Sequence, residues 1–414
     1  MSDSVGCDVR TMSDQTLGKD STPQSKPLEL DGRTLEGGGQ LLRLAIGISA
    51  LTNTPIRINN IRGNRSAGGG LKAQHLACVK WLAFASNAIV SGAEKGSKTL
   101  EFQPGSVGSA SPAYSLIEPK QGRGSFWECK LDIKSVGSTG LALQAILPFI
   151  LFMPPRNQDG SISNLPVRLT ISGGTNVSGS PSYEYIEQVL LPTLSRIGIL
   201  GVSAQLNKRG WSHGGSSIGS FTLEIPARKT VSLPAFELYP EDLMSRPAFP
   251  ARIDATFIGP AATHAHMRDT LLSAINSHFQ VDFSDDNGDF SLTCEDSEHE
   301  KRYYLLLVAT VPSATARPAN PSSYKLATDW LYDRRVRVPE LATTELADCV
   351  SRDLHAEWSS GAYVDEHMRD QLVVFQALAE KGSRTFGGLA GDGNLRDPSL
   401  HTQTAEWVCK LLLG

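Results

Sequence analysis

No C-x-x-C pair occurs in this sequence. Its six cysteines (Cys7, Cys78, Cys129, Cys294, Cys349 and Cys409) are scattered. That spacing argues against a zinc site or disulfide frame and predicts free thiols in a reducing compartment. No run of about eighteen apolar residues is present, so no transmembrane helix, and no membrane partner, is expected. The opening Met1-Ser-Asp-Ser-Val lacks both a basic and an apolar segment, which argues against secretion. A basic excess is missing too. Thirty-nine Lys+Arg stand against 43 Asp+Glu, a net charge of −4. A globally basic nucleic-acid binder is thereby excluded, and any such contact must come from a local patch. What remains is ordinary: 414 residues, 40% hydrophobic and 20% charged, fit a globular protein of two or more domains.

One stretch is dense with chemistry. Glu36-Gly37-Gly38-Gly39-Gln40-Leu41-Leu42-Arg43 opens an apolar run, and Ile61-Arg62-Gly63-Asn64-Arg65 follows with a second triplet, Gly68-Gly69-Gly70. Glycine permits φ > 0 and close approach to a ligand. Free N–H groups where such a loop starts a helix attract anions. Arg43 falls one turn inside that helix, and Arg62 and Arg65 share the next loop. Guanidinium forks converging on glycine loops suit a polyphosphate. The same spacing also describes a plain turn, and neither G-x-x-x-x-G-K-[ST] nor G-x-G-x-x-G is present there. With Arg57 and Lys72, these arginines form a local basic concentration.

Periodicity predicts helices over 41–51 and 71–86 flanking a strand at 55–61, then strands at 88–90, 99–102 and 126–133. The pattern restarts one hundred residues on, Ala145-Ile146 echoing Ala45-Ile46 within a helix over 141–152. A strand at 167–172, a helix over 183–197 and strands at 202–206 and 220–225 complete the second unit. From 232 the texture changes to a compact α/β insert: strand 253–257, helix 263–279, strands 289–294 and 303–311. Residues 312–323 read as a linker, and 327–356 as helix in pieces broken at Pro339. A helix over 361–381, a glycine-rich loop at 387–393 and a short helix over 404–413 close the chain. Residues 1–26 are polar and read as a disordered tail.

Several separated motifs in order carry a resemblance. Glu36 to Arg43, Ile61-Arg-x-x-Arg65, Gln74-His75-Leu76, Asp365-Glu-His-Met-Arg-Asp-Gln-Leu372 and Leu400-His-Thr-Gln-Thr-Ala405 resemble the RNA 3′-terminal phosphate cyclases, cyclase branch of eukaryotic type. The resemblance runs from about residue 28 to the end and is weakest between 232 and 360. It implies an α/β (α+β) fold: a large domain at 27–231 and 345–414 of three repeated modules, each two helices on a four-stranded sheet. A smaller α/β insert domain with its linker would occupy 232–344. The implied reaction converts an RNA 3′-phosphate end to a 2′,3′-cyclic phosphodiester at the expense of ATP, with Mg²⁺ or Mn²⁺, and the implied location is nucleus or cytosol.

The resemblance assigns roles residue by residue. His401 would be the nucleophile that takes AMP, since a neutral imidazole has a free lone pair near physiological pH. Glu36 would contact the metal; without the resemblance it reads first as an acid at a helix start. Arg43, Arg62 and Arg65 would contact phosphate, with Gln74 and His75 nearby. Gln144 would line the nucleotide pocket, an exposed amide being the rival reading. His367, Asp370 and Gln371 would hold the adenosine, His367 standing where the family often has tyrosine. The loop from Arg65 to Gln74 is one residue longer than the family pattern, and Gly414 stops short of the family's final strand. A non-catalytic branch acting in ribosome assembly lacks the histidine retained here, and the arginine pair together with His401-Thr-Gln-Thr-Ala405 argues against a transferase built from similar repeats that acts on small phosphorylated metabolites. His264-Ala-His266, with no third partner in view, reads as surface.

Overall fold

A computed structural model describes residues 26–66, 68–105, 111–118, 124–157, 159–228, 231–240, 247–312 and 323–414. All but the last residue of the expected tail lies outside these. The first sheet takes β1 (Leu28–Asp31), β2 (Ile56–Asn59), β3 (Ile89–Ser91) and β4 (Leu100–Gln103) in the order β1-β2-β4-β3. β1 and β2 are parallel, which requires a crossover, and α1 (Gln40–Thr52) supplies it. α2 (Ala73–Ala85) follows β2; its His75, Cys78, Val79 and Leu82 are buried, as the expected helical face requires.

The second sheet runs β5-β6-β7-β9-β8, from β5 (Ser115–Ile117), β6 (Phe126–Asp132), β7 (Val167–Gly173), β8 (Ser203–Lys208) and β9 (Gly219–Ile225). The strand at 126–132, expected to finish the first unit, belongs to the second instead. It lies parallel to β7 with α3 (Thr139–Phe152) as their crossover. α4 (Tyr183–Tyr185), a π-helical segment (Ile186–Leu190) and α5 (Leu191–Arg196) run on from one another where one helix was expected. The echo between positions 45 and 145 has a physical counterpart. A Cβ on Gly47 would lie 2.6 Å from the carbonyl oxygen of Ala145, so α1 and α3 approach backbone to backbone there.

The third unit is reduced. β10 (Glu237–Leu238) pairs in parallel with β15 (Arg384–Thr385), so the described residues give two short strands where a four-stranded sheet was expected. Between them the chain leaves for a separate sheet. β11 (Arg252–Gly259), β12 (Phe290–Asp296), β13 (Tyr304–Pro312) and β14 (Ser323–Leu331) lie in the order β12-β11-β13-β14, covered by α6 (His264–Phe279) and α7 (Pro339–Ser359). Residues 327–331, expected as helix, belong to β14, whose residues pair in register with β13. The linker expectation falls largely on 313–322, outside the described residues. Pro339 starts α7 rather than breaking it, because the first helical position has no use for an N–H. Residues 345–359 were expected with the large domain, yet Leu346, Val350 and Leu354 pack in one core with Met267, Leu271 and Ile275 of α6.

β13 joins the two cores. Tyr304, Leu306 and Val308 point into the large core, while Leu305, Leu307 and Ala309 point into the smaller one. Such alternation on a strand buried on both faces fixes the insert sheet against the second unit. α8 (Glu366–Leu378) and α9 (Leu400–Leu413) then pack beside α1 and α3. α8 begins at Glu366, capped by Asp365, rather than at 361, and α9 begins at Leu400 rather than 404.

Candidate active site

A cleft of about 750 Å³ opens where the first unit, the second unit, the insert sheet and the last two helices meet. A volume of this size falls in the range of small-molecule sites. Ten of the eleven residues singled out in the sequence line it: Glu36, Arg43, Arg62, Arg65, Gln74, His75, His367, Asp370, Gln371 and His401. Gln144 stands behind them. Its Oε1 accepts from Arg43 Nε at 3.0 Å, so it holds the arginine, and its Nε2 has no protein partner.

One side of the cleft is basic and local in sequence. α1 starts at Gly39 with no side chain capping its free N–H groups. Bare Cα atoms are needed at this start. A Cβ on Gly38 would lie 2.0 Å from Glu36 Oε1, and one on Gly39 would lie 2.6 Å from Arg43 Nη1 and 2.7 Å from His75 Nε2. The glycines therefore make room first for the protein's own charged groups. Arg43 is buried, with Nη2 donating to Gln40 Oε1 at 2.6 Å. Arg62 is buried in the left-handed region, φ 55°, a conformation that costs a non-glycine residue about 1 kcal/mol or more. Its Nη1 donates to the Gly70 carbonyl at 3.3 Å, as the second glycine triplet folds back on Ile61. Arg65 pairs with Glu36, whose other oxygen accepts the Gly38 N–H at 2.7 Å. Burial, then Arg43, Arg62 and Lys72, push the His75 imidazole down to about 3, so it is neutral. Its Nδ1 accepts the Lys72 N–H at 3.3 Å, which leaves the proton on Nε2 as a donor.

The opposite side is acidic and aromatic. Tyr185, Tyr304, Asp329 and Trp330 line it with His367, Asp370 and Gln371. Asp329 accepts from the Tyr304 hydroxyl at 2.8 Å, and that hydroxyl is 2.6 Å from Ser182 Oγ. Asp370 accepts from Gln371 Nε2 at 2.9 Å and Gln40 Nε2 at 3.3 Å. Burial raises its carboxyl to about 6. Behind it, Asp365 is fully buried. Its Oδ1 accepts the Tyr185 hydroxyl at 2.6 Å and the Met368 N–H at 2.8 Å, and its Oδ2 the Ala327 N–H at 3.1 Å. His367 opens to the cleft with its ring edge-on to Tyr185, 6.3 Å between centroids. The surrounding protein disfavours charge on it, but Asp329, Asp365 and Asp370 outweigh that and hold its pKa above the usual value.

Sequence reading did not find Tyr185, Tyr304, Asp329 or Trp330. The last two lie in a segment read as helix, and the apolar alternation of Tyr324 and Leu326 about Lys325 was the available strand signal.

His401 lies in the first turn of α9, exposed to the cleft. Ser399 caps that turn, Oγ accepting the Thr402 N–H at 3.2 Å, and Glu366 Oε1 accepts the Ser399 N–H at 3.1 Å. The Glu36 N–H donates to Thr404 Oγ1 at 3.2 Å, joining the glycine loop to this helix across 368 residues. Partial burial, with Arg43 and Arg65, lowers the pKa of His401 against the opposing pull of Glu36. The positive end of α9 acts in the same direction. An imidazole with its charged form disfavoured thus faces the cleft, close enough to feel Arg65 from one side and His367 from the other.

Among the described residues no three His, Cys, Asp or Glu side chains are grouped to hold a metal ion. Glu36 offers one carboxylate, already engaged by Arg65 and Gly38. It could share a Mg²⁺ whose remaining ligands are phosphate and water, the usual arrangement for that ion. His264 and His266 sit at the start of α6, their ring nitrogens separately engaged by the Gly259 carbonyl at 3.0 Å and Thr343 Oγ1 at 2.8 Å.

Comparison with known proteins meets this geometry. A family model described as RNA 3′-terminal phosphate cyclase matches residues 34–414. A relative bearing that name from Caldivirga maquilingensis is 30% identical over 360 residues, 85% of each chain. Another from Thermococcus gammatolerans is 30% identical over 397 residues, 94% of this chain and 92% of that one. A third, from Sulfolobus acidocaldarius, reaches 40% over 192 residues, 46% of this chain and 48% of the other. With a match over nearly its whole described length, the chain belongs to the RNA 3′-terminal phosphate cyclase family.

Proposed function

We propose that this protein converts an RNA 3′-terminal phosphate to a 2′,3′-cyclic phosphodiester at the expense of ATP, with His401 as nucleophile. The observation that carries the reading is the placement of a neutral imidazole between a basic wall suited to a triphosphate and an aromatic, acidic wall suited to a nucleoside. Arg43, Arg62 and Arg65 would hold the phosphates, with the His75 Nε2–H and the free N–H groups of α1 as further donors. Asp370, Gln371 and His367 would meet the adenosine. Glu36 would hold a Mg²⁺ or Mn²⁺ that travels with the triphosphate and neutralises part of its charge.

The chemistry follows in three exchanges. The His401 lone pair forms an N–P bond to the α-phosphorus as the bond to the β-phosphate oxygen breaks and pyrophosphate leaves. An oxygen of the RNA 3′-phosphate then takes AMP from the imidazole, making RNA(3′)pp(5′)A. The adjacent 2′-hydroxyl attacks the 3′-phosphorus, gives up its proton and expels AMP, closing the ring. Activation is needed because a phosphate monoester has no competent leaving group. The last exchange is intramolecular, so proximity supplies much of its rate. The five described cysteines are unpaired, which supports the reducing environment of a nucleus or cytosol as its location.

Incubation with α-³²P-ATP and divalent metal should label the protein through an acid-labile, alkali-stable bond that His401→Ala abolishes. Folded wild-type protein that takes no label would overturn the reading in favour of a non-catalytic relative. Arg62→Ala should slow labelling about 100-fold, the scale for losing one charge-stabilising donor, with little change in thermal midpoint. A collapse of the fold instead would make Arg62 purely structural.

A further inference from the structure

We infer that the turn between β14 and α7 is the lip over which the RNA strand leaves the cleft, with Arg335 and Arg337 contacting its phosphates. This rests on the cyclase reading and adds to it the part of the substrate upstream of the reacting end. A cleft of about 750 Å³ already shared with ATP holds little more than a terminal nucleotide. The remaining strand must cross the rim, and a net charge of −4 gives it no overall attraction, so a local basic group must hold it.

The turn is anchored at that rim. β14 ends in Trp330 and Leu331, which line the cleft, and Asp333 accepts from Ser178 Oγ at 2.9 Å, Ser178 also lining the cleft. Arg334 lies over the Trp330 ring at 5.1 Å and pairs with Glu345. Arg335 and Arg337 are exposed, and no carboxylate neutralises either among the described residues. They follow Asp333 by two and four residues, so at most about 14 Å of extended chain separates them from the rim. Val338 and Leu341 beside them are 44% and 67% exposed. Arginines interleaved with an aromatic face and exposed apolar side chains form the kind of surface that takes single-stranded nucleic acid without reading its sequence. The basic groups on the far wall differ. Arg43 and Arg62 are buried and Arg65 is paired with Glu36, so they are committed within the cleft.

The test compares wild type with R335Q/R337Q, substitutions at exposed positions that leave the fold undisturbed. Binding of a fluorescently tagged, 3′-phosphorylated single strand of about ten nucleotides is followed by anisotropy over a range of salt. Two lost phosphate contacts should flatten the slope of log K against log salt by about 1.4. Affinity for the long strand should fall roughly tenfold at low salt, while that for a 3′-phosphorylated dinucleotide and the rate of α-³²P-ATP labelling stay unchanged. An unaltered salt slope, or equal losses for dinucleotide and long strand, would overturn the assignment. An unaltered slope would also leave a protein partner as the occupant of this turn. Because binding is read without catalysis, a flattened slope in a chain that takes no label would sink the proposed activity and keep the RNA surface.

Discussion

The two walls of the cleft are built in opposite ways. The basic wall comes from one stretch, residues 36–75, where loop glycines bring Glu36, Arg43, Arg65 and His75 within touching distance of their own backbone. The acidic wall is gathered from the second unit (Tyr185), the insert sheet (Tyr304, Asp329, Trp330) and α8 (His367, Asp370, Gln371). The difference lies in what holds each wall. The first needs a tight local loop, and the left-handed backbone of Asn60 and Arg62 records it. The second needs long-range ties, and Asp365 is the principal one, since its two oxygens bond a side chain of the second unit, the backbone of β14 and the start of α8.

Breaking that tie should have the largest effect. Asp365→Ala leaves the Tyr185 hydroxyl and the Ala327 and Met368 N–H groups without their acceptor and removes the cap of α8. The expected loss is about 3–5 kcal/mol, read as a shift of the urea midpoint. The asymmetry predicts more than instability. Nucleotide affinity should fall through disordering of the acidic wall, while the protection of the α1 amides against hydrogen exchange persists. Equal loss of protection at α1 would show that the walls are one cooperative unit and void the distinction.

The same contrast explains what the sequence disclosed. Arg43, Arg62 and Arg65 were legible because glycine loops and arginines sit together in the chain, whereas Glu36 and His75 took their roles from the motif resemblance. His367, Asp370 and Gln371 were found through a motif resemblance, not through any local pattern. Tyr304 and Asp329 were missed because each acquires its place only when β13 is buried on both faces and β14 pairs beside it. The fold was legible where period-two and helical patterns were clean, as in β2, β7, α1 and α3. It was misjudged at 327–331, where Asp329 interrupts the apolar run on a strand and imitates a helix face. His401 was expected in a loop, but Ser399 two residues earlier is a helix cap and sets the imidazole in a first turn.

Asp370→Asn should sharpen the comparison by separating function from stability. Its carboxyl titrates at about 6 because burial disfavours the charge, against 3.8 in the unfolded chain. The folded form therefore keeps its proton longer as pH rises. Stability falls between about pH 4 and 6 and stays reduced above that range. The amide cannot ionise, so Asp370→Asn should be stabilised by roughly 1–3 kcal/mol at pH 8 and by nothing near pH 4. Above about pH 6, where the wild-type carboxyl is ionised, the variant's ATP affinity should fall below that of wild type. A variant no more stable than wild type at pH 8 would mean that Gln40, Gln371 and Arg43 already compensate the buried charge.

The smallest effect is expected between the walls, at Ser399. Its hydroxyl caps α9, so Ser399→Ala should cost about 1 kcal/mol of stability. Glu366 still holds the Ser399 N–H, so the helix start should keep its place and only the turn bearing His401 should loosen. Attack on phosphorus depends on alignment more than on contact, so the loss should appear in the rate of α-³²P labelling at saturating ATP rather than in ATP affinity. A severalfold slower rate with unchanged affinity would place the alignment of His401 in α9 itself. A loss of affinity without a loss of rate would place it instead in the bond from the Glu36 N–H to Thr404, which is another restraint on that helix.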